Sequence, residues 1–166
     1  MLQFKKLGTR DWQVVQQIAY QTWPVTYEPY LTPQQINWVL ATVYSEQSLH
    51  QQMLGQQHLF LLAIENGQAL GFVSYENNYE GLHQLMIHKL YLLPASQGSG
   101  IGTQIIGWLE AIAKAGKLNR LLLKVFCRNG NAIGFYEKLG FIKIGTAEKN
   151  IGNNCTVLDD IMAKDL

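Results

Sequence analysis

Hydrophobic and polar positions along the chain alternate between a helical and a strand-like period. Gln3–Leu7 reads as a short strand, and Thr9, a candidate N-cap, leads into a helix whose Val14, Val15, Ile18 and Ala19 share one face. Pro24 is expected to stop that helix, because proline has no N–H for the ladder. Thr32-Pro33 couples a capping residue to proline at the first helical position and opens a second helix to about Tyr44; a third covers Ser48–Gly55. Leu59–Glu65 and Ala69–Glu76 are strand-like and flank Asn66-Gly67, a strong hairpin signal. Gln84–Leu93 is the next strand. Ile101, Ile105, Leu109 and Ile112 make one helical stripe that ends at Gly116. Arg120–Phe126 reads as a buried strand and Asn131–Leu139 as a helix stopped by Gly140. Ile142–Glu148 and Val157–Lys164 close the chain as a strand pair.

The order β-α-α-β-β-β-α-β-α-β-β combines hairpins with one right-handed crossover between neighbouring strands. It predicts an α/β fold whose central sheet is partly parallel and partly antiparallel. The sequence has no repeat, low-complexity tract or dividing linker, so residues 1–166 are expected to form a single domain. A chain of this length buries roughly 70% of its unfolded surface.

No apolar run approaches the ~20 residues that span a bilayer. Met1–Lys6 lacks the apolar core of a signal peptide. A cytoplasmic protein with no membrane partner is therefore expected. Cys127 and Cys155 form neither a disulfide framework nor paired ligand spacing. His50, His58, His83 and His88 lack His-x-x-x-His spacing, and His83 and His88 are read as opposite faces of one strand. No metal site is expected.

The net charge of +1 divides unevenly, with −3 on residues 1–80 and +4 on residues 81–166. A basic C-terminal half suits an anionic cofactor, and an acidic N-terminal half suits a cationic amine; chance surface variation would give the same numbers. There is no clustered basic stripe, which argues against nucleic acid.

Candidate chemistry concentrates in Gln97-Gly98-Ser99-Gly100-Ile101-Gly102-Thr103, between a strand and a helix. A Gly-rich bend that opens a helix leaves backbone N–H groups unpaired at the positive end of the helix dipole, a ready phosphate site. A P-loop is excluded, since no Lys follows a glycine in the required register. A dinucleotide fingerprint is excluded too, because Thr103 stands where its third glycine belongs.

The pattern that remains, Gln-x-x-Gly-x-Gly at the end of a mid-chain strand, resembles the acetyl-CoA pyrophosphate loop of the GCN5-related N-acetyltransferases (GNAT). A second block, Val125 to Phe141, resembles the same family's strand, Asn and short helix ending Tyr-x-x-x-Gly-Phe, with Asn129 seven positions before Tyr136. Thr22–Tyr27 and Asp159–Leu166 are similar to parts of bacterial polyamine acetyltransferases of the PaiA type. Similarity spans nearly the whole chain, but only the two central blocks are diagnostic.

The resemblance implies a three-layer GNAT-like fold and transfer of acetyl from acetyl-CoA to a primary amine, including polyamines such as spermidine. A protein N-terminus, a lysine or an amino acid is an alternative acceptor, and a non-catalytic CoA-binding module a further alternative. In the family, pantetheine pairs with the strand at Gln84–Leu93. That implies backbone contacts from Leu90 and Leu92, with an N–H near Leu92 facing the thioester oxygen, and diphosphate contacts from Gln97 to Thr103. Tyr136 becomes the candidate general acid, or an aromatic on a buried helix face. Asn129 offers an amide to the cofactor, a helix cap, or both.

Relatives often carry a Glu on this strand, where Met86 and His88 stand here. Methionine takes no proton, so His88 is the candidate base, or else a core or rim histidine. His83, Glu28, Glu76 and a water chain are the alternatives. Trp23, Tyr27, Tyr30, Trp38 and Tyr44 lie in the segment that covers the acceptor in relatives. Trp23, Tyr27 and Glu28 are the candidate amine contacts, with helix-to-sheet packing as the other use of the aromatics. Pairing of exposed C-terminal strands would give a homodimer.

Overall fold

The computed structural model describes residues 1–152 and 154–166. Its strands are β1 (Gln3–Leu7), β2 (Leu59–Glu65), β3 (Gln68–Glu76), β4 (Gln84–Leu92), β5 (Arg120–Phe126), β6 (Ile142–Asn150) and β7 (Thr156–Asp165). Its helices are α1 (Trp12–Tyr27), α2 (Pro33–Val43), α3 (Glu46–Leu54), α4 (Ile101–Ala115) and α5 (Gly130–Lys138). The strands form one mixed sheet in the order β1-β2-β3-β4-β5-β7-β6. No helix among the described residues is long and apolar enough to cross a membrane. Two compact units alternate along the chain, Met1–Tyr75 with Lys89–Ile105 and Glu76–His88 with Ile106–Leu166.

In the first unit β1 and β2 pair antiparallel, as do β2 and β3. The β2–β3 turn places Asn66 at φ 52° and Gly67 at φ 77°, two left-handed residues in succession as the tightest hairpins require. Thr32 caps α2 as expected, its hydroxyl accepting from the Gln35 N–H at 3.2 Å while the Gln35 side chain accepts from the Thr32 N–H at 2.8 Å. Ser45 caps α3 through the Ser48 N–H, so that helix starts two residues earlier than Ser48.

Two expectations fail in α1. Thr9 is not its cap: Thr9–Asp11 form a 3-10 turn, and the Asp11 carboxylate accepts from the Gly8 N–H at 2.9 Å. Pro24 does not end the helix, which continues to Tyr27. The proline deprives the Tyr20 carbonyl of its ladder donor, a cost of about 3 kcal/mol. Tertiary packing exceeds that cost. Trp23 is 4% exposed and bonds through its indole N–H to the Tyr44 hydroxyl at 3.1 Å, and the ladder resumes with the Glu28 N–H on the Pro24 carbonyl at 3.0 Å.

In the second unit Gln84–Ile87 of β4 pair parallel with Arg120–Leu123 of β5, the ladder expected of a crossover. β5 pairs antiparallel with β7, and β7 with β6. Met86, Leu122 and Ala163 occupy one row across these strands and pack as a buried cluster, with Tyr79 and Ile161 against it. Leu85, Leu121, Leu123, Leu109 and Met162 are fully buried, each worth about 1.5–3 kcal/mol over exposure. Ile112, expected on the α4 stripe, is half-buried; Ile106 and Ala113 are buried instead. His83 lies outside the strand at φ 52°, its N–H held by the Asn78 side chain at 3.1 Å, so it does not alternate with His88.

Candidate active site

The glycine-rich segment adopts the conformation its composition demands. Gly98 (φ 74°) and Gly100 (φ 80°) are both left-handed, the region that a Cβ disfavours. The first bond of α4 runs from the Gln104 N–H to the Gly100 carbonyl at 3.1 Å. The N–H groups of Ile101, Gly102 and Thr103 therefore precede the ladder at the positive end of the helix. Ser99 braces the bend by donating its hydroxyl to the Ser96 carbonyl at 2.7 Å.

The end of β4 is tied to this bend. The Leu93 N–H donates to the Leu70 carbonyl at 2.8 Å, so strand alternation turns the peptide groups of Leu92 to the opposite edge. On that edge the Leu92 carbonyl accepts from the Gln97 side-chain amide at 3.2 Å. Leu90, two residues earlier, has the same parity. Gly71 lets β4 approach closely: a Cβ there would sit 2.9 Å from the Leu92 Cα. Anionic ligand at the bend and an amide-bearing ligand along the Leu90–Leu92 edge both fit these groups.

Tyr136 owes its position to a helix cap. Gly140 (φ 90°) follows α5; its N–H bonds the Glu137 carbonyl at 3.0 Å, and the Phe141 N–H bonds the Tyr136 carbonyl at 3.1 Å. These two bonds form a Schellman motif, and its usual apolar contact is the edge-on packing of Tyr136 and Phe141, centroids 5.5 Å apart. Tyr-x-x-x-Gly-Phe is thus the sequence of a cap that holds the tyrosine against a buried phenylalanine. Tyr136 is 8% exposed. At the other end of α5 the Asn129 side-chain oxygen accepts from the Ala132 N–H at 3.2 Å. The cap uses only that oxygen; the side-chain N–H₂ is a separate donor pair.

His88 is paired. Its Nε2 lies 2.9 Å from Glu76 Oε2, with side-chain exposures of 16% and 25%. The Tyr79 ring meets the imidazole edge-on, centroids 5.8 Å apart. Burial, then the carboxylates of Glu80 and Glu76, push the Tyr79 phenol up, so it stays protonated near neutral pH. Two of the separate base candidates, His88 and Glu76, are therefore one hydrogen-bonded pair. Met86 is 3% exposed within its apolar cluster.

A family model described as the Acetyltransferase (GNAT) family matches residues 12–141. The chain belongs to the GNAT acetyltransferases. An uncharacterized N-acetyltransferase of Methanocaldococcus jannaschii is 34% identical over 49% of this chain and 38% of its own length. The chain thus spans less than half the length of this and other curated relatives it matches. A spermidine N(1)-acetyltransferase of Thermoplasma acidophilum is 26% identical over 84% of this chain and 88% of the relative. In fold, the chain is similar to the PaiA N-acetyltransferase of Thermoplasma acidophilum solved in complex with coenzyme A. The TM-score is 0.83 at 23% identity, covering 100% of this chain and 99% of that one.

The aromatics of this GNAT chain's first unit are densely packed. Trp23 contacts Tyr27 at 4.2 Å, Tyr91 at 6.0 Å and Tyr44 at 6.1 Å between centroids, and the Tyr27 and Tyr91 hydroxyls are 3.2 Å apart. Burial raises the phenols of Tyr44 and Tyr91 well above their usual range. Trp23 is spent on this packing, Tyr27 is half-buried, and Glu28 is exposed just beyond α1. Sequence reasoning missed Tyr79 and the hydroxyl of Tyr91. Tyr79 sits in an irregular turn whose neighbours no periodicity indicates, and Tyr91 was hidden inside an apolar strand.

Proposed function

We propose that this GNAT acetyltransferase moves the acetyl group of acetyl-CoA onto a small primary amine, with a polyamine such as spermidine as the favoured acceptor. The observation that carries the reading is the amide-rich bend at residues 97–103, with two left-handed glycines at the mouth of α4. It supports Gln97, Gly98, Ser99, Gly100, Ile101, Gly102 and Thr103 as the diphosphate contacts. The edge set by Leu92 supports Leu90 and Leu92 as the pantetheine contacts, and Asn129 retains an amide donor for the cofactor. The spermidine name of the Thermoplasma acidophilum relative, together with the acidic N-terminal half, supports a cationic acceptor.

Acetyl-CoA supplies the acyl thioester. His88, oriented by its carboxylate partner, takes a proton from the ammonium so that the nitrogen lone pair is exposed. The Leu92 N–H stabilises the oxygen on which charge grows, worth on the order of 3 kcal/mol. Tyr136 returns a proton to the departing thiolate. Tyr27 and Glu28 are proposed to contact the amine, with Trp23 supporting Tyr27 from behind. A cytoplasmic location and a homodimer belong to the same reading; β6 is an edge strand, and Ile142 and Ile144 on it are 66% and 50% exposed.

The test is release of free CoA thiol, followed by a colorimetric thiol reagent, with spermidine, a panel of small amines and a set of peptides. Fastest turnover with spermidine or a related diamine is expected. Fastest turnover with a peptide N-terminus would move the acceptor to protein. Tight CoA binding without acetylation of any of them would overturn the enzymatic reading.

A further inference from the structure

Resting on the reading of the Leu92 N–H as the donor to the thioester oxygen, we propose that Gly71 is a positioning residue that aims this donor. Gly71 is buried in β3 and is not left-handed, so backbone conformation is not the reason for glycine here. What the position excludes is a side chain. A Cβ there would lie 2.3 Å from the Tyr91 carbonyl oxygen, 2.7 Å from Leu92 Cδ2 and 2.9 Å from Leu92 Cα, gaps that real Cβ atoms essentially never show. The Tyr91 carbonyl occupies the space a side chain would take.

That carbonyl and the Leu92 N–H belong to one peptide unit. The unit is planar and trans, so its C=O and N–H point in opposite directions. A carbonyl directed at Gly71 turns the Leu92 N–H away from β3, toward the edge where the Leu92 carbonyl meets the Gln97 amide at 3.2 Å.

The surroundings hold the unit in place. Ala63 of β2 pairs with Gly71 and Ile64 with Ala69, which leaves Leu70 as an extra residue in a bulge of β3. The Leu70 carbonyl accepts from the Leu93 N–H at 2.8 Å. Bulges re-aim groups beside active sites. The Tyr91 ring packs on Phe72, the neighbour of Gly71, at 5.9 Å between centroids and on Trp23 at 6.0 Å. Two of the three atoms nearest a Cβ at 71 are backbone, so an alanine there has to move the Tyr91–Leu92 peptide itself.

As the amine nitrogen bonds the thioester carbon, the carbonyl π pair moves onto oxygen, and it returns when the C–S bond breaks. A tilted Leu92 N–H meets that oxygen poorly, while the glycines of the diphosphate bend lie on another segment. Turnover is then lost without an equal loss of CoA binding.

The experiment measures turnover on spermidine, CoA affinity by calorimetry, and isotope-edited infrared spectra of bound acetyl-CoA carrying ¹³C at the thioester carbonyl. The proteins are wild type, Gly71→Ala, Leu92→Ala and the double variant. In wild type the carbonyl stretch should move to lower frequency on binding, as a hydrogen bond to its oxygen requires. In Gly71→Ala most of that shift should disappear and kcat should fall roughly 10- to 100-fold, with the CoA Kd within threefold of wild type. The double variant removes the Leu92 Cδ2 contact and keeps the backbone ones, so it should remain roughly 10-fold or more slower than Leu92→Ala. It also decides the matter if Gly71→Ala does not fold. A wild-type carbonyl shift in Gly71→Ala, a kcat within twofold of wild type, or a double variant as fast as Leu92→Ala overturns the proposal and leaves Gly71 a packing role alone. No carbonyl shift in wild type would instead remove Leu92 as the donor. If the wild type acetylates no amine the functional reading fails, and the infrared comparison still decides the role of Gly71.

Discussion

Replacing Gly100 by alanine separates folding from cofactor binding. A Cβ at this position meets no heavy atom within 4 Å, so the substitution produces no clash inside the protein. Its cost is the left-handed backbone at φ 80°, about 1–2 kcal/mol for a residue with a Cβ. The stiffer unfolded chain offsets about 0.4–1 kcal/mol of that. The net loss is about 1 kcal/mol, or about 2–4 °C in Tm for a chain of this size. Binding should suffer far more. The methyl stands where a diphosphate would approach, and each charge-assisted amide bond lost is worth about 1.5–3 kcal/mol. Loss of one raises the acetyl-CoA Kd by roughly 10- to 150-fold. Gly98→Ala (φ 74°, also without a contact) should behave alike. Thermal unfolding and calorimetric titration on the same preparations measure both quantities. An acetyl-CoA Kd within threefold of wild type in both variants would refute the placement of phosphate at this bend.

Tyr136→Phe should retain acetyl-CoA binding within twofold and lose roughly 100-fold or more in turnover, measured by thiol release; undiminished turnover across the pH range would remove the phenol as the acid. Gly140→Ala forces a Cβ into a φ of 90° at the Schellman cap, with only ordinary contacts to Lys164. About 1–2 kcal/mol of destabilisation is expected from chemical denaturation, together with reduced turnover because the cap holds Tyr136. Burial raises the carboxyl of Asp159 against the pull of Lys149 and Lys124. A carboxyl raised in the folded state stabilises it below the unfolded pKa, and that contribution is lost as pH climbs through the folded value. Asp159→Asn should therefore have a higher Tm than wild type at pH 7, with the gap closing below about pH 4; a constant gap across the series would contradict this.

The element order and the conformation of the glycine-rich bend were legible because they rest on local signals. Asn66-Gly67, Thr32-Pro33 and the glycines at 98 and 100 each demand a particular backbone, and each has it. The Asn129-to-Phe141 block was legible for the same reason, since both ends of α5 are caps written in adjacent residues. Pro24 misled because the forces that carry α1 through it come from Tyr44 and Tyr91, far away in the chain. The Glu76–His88 pair was invisible because the connection from β3 to β4 is irregular. It contains Asn78, Glu80 and His83 in left-handed conformations, so no hairpin register could be counted across it. Both residues stood out singly as proton acceptors; only the fold joins them.

A crystal structure of the protein with coenzyme A tests the central claim most directly. The account predicts diphosphate oxygens within about 2.7–3.2 Å of backbone N–H groups between Gly98 and Thr103, with the pantetheine amides on the Leu90–Leu92 edge. Well-defined coenzyme A whose diphosphate contacts side chains elsewhere, leaving the amides of the bend to solvent, would contradict it.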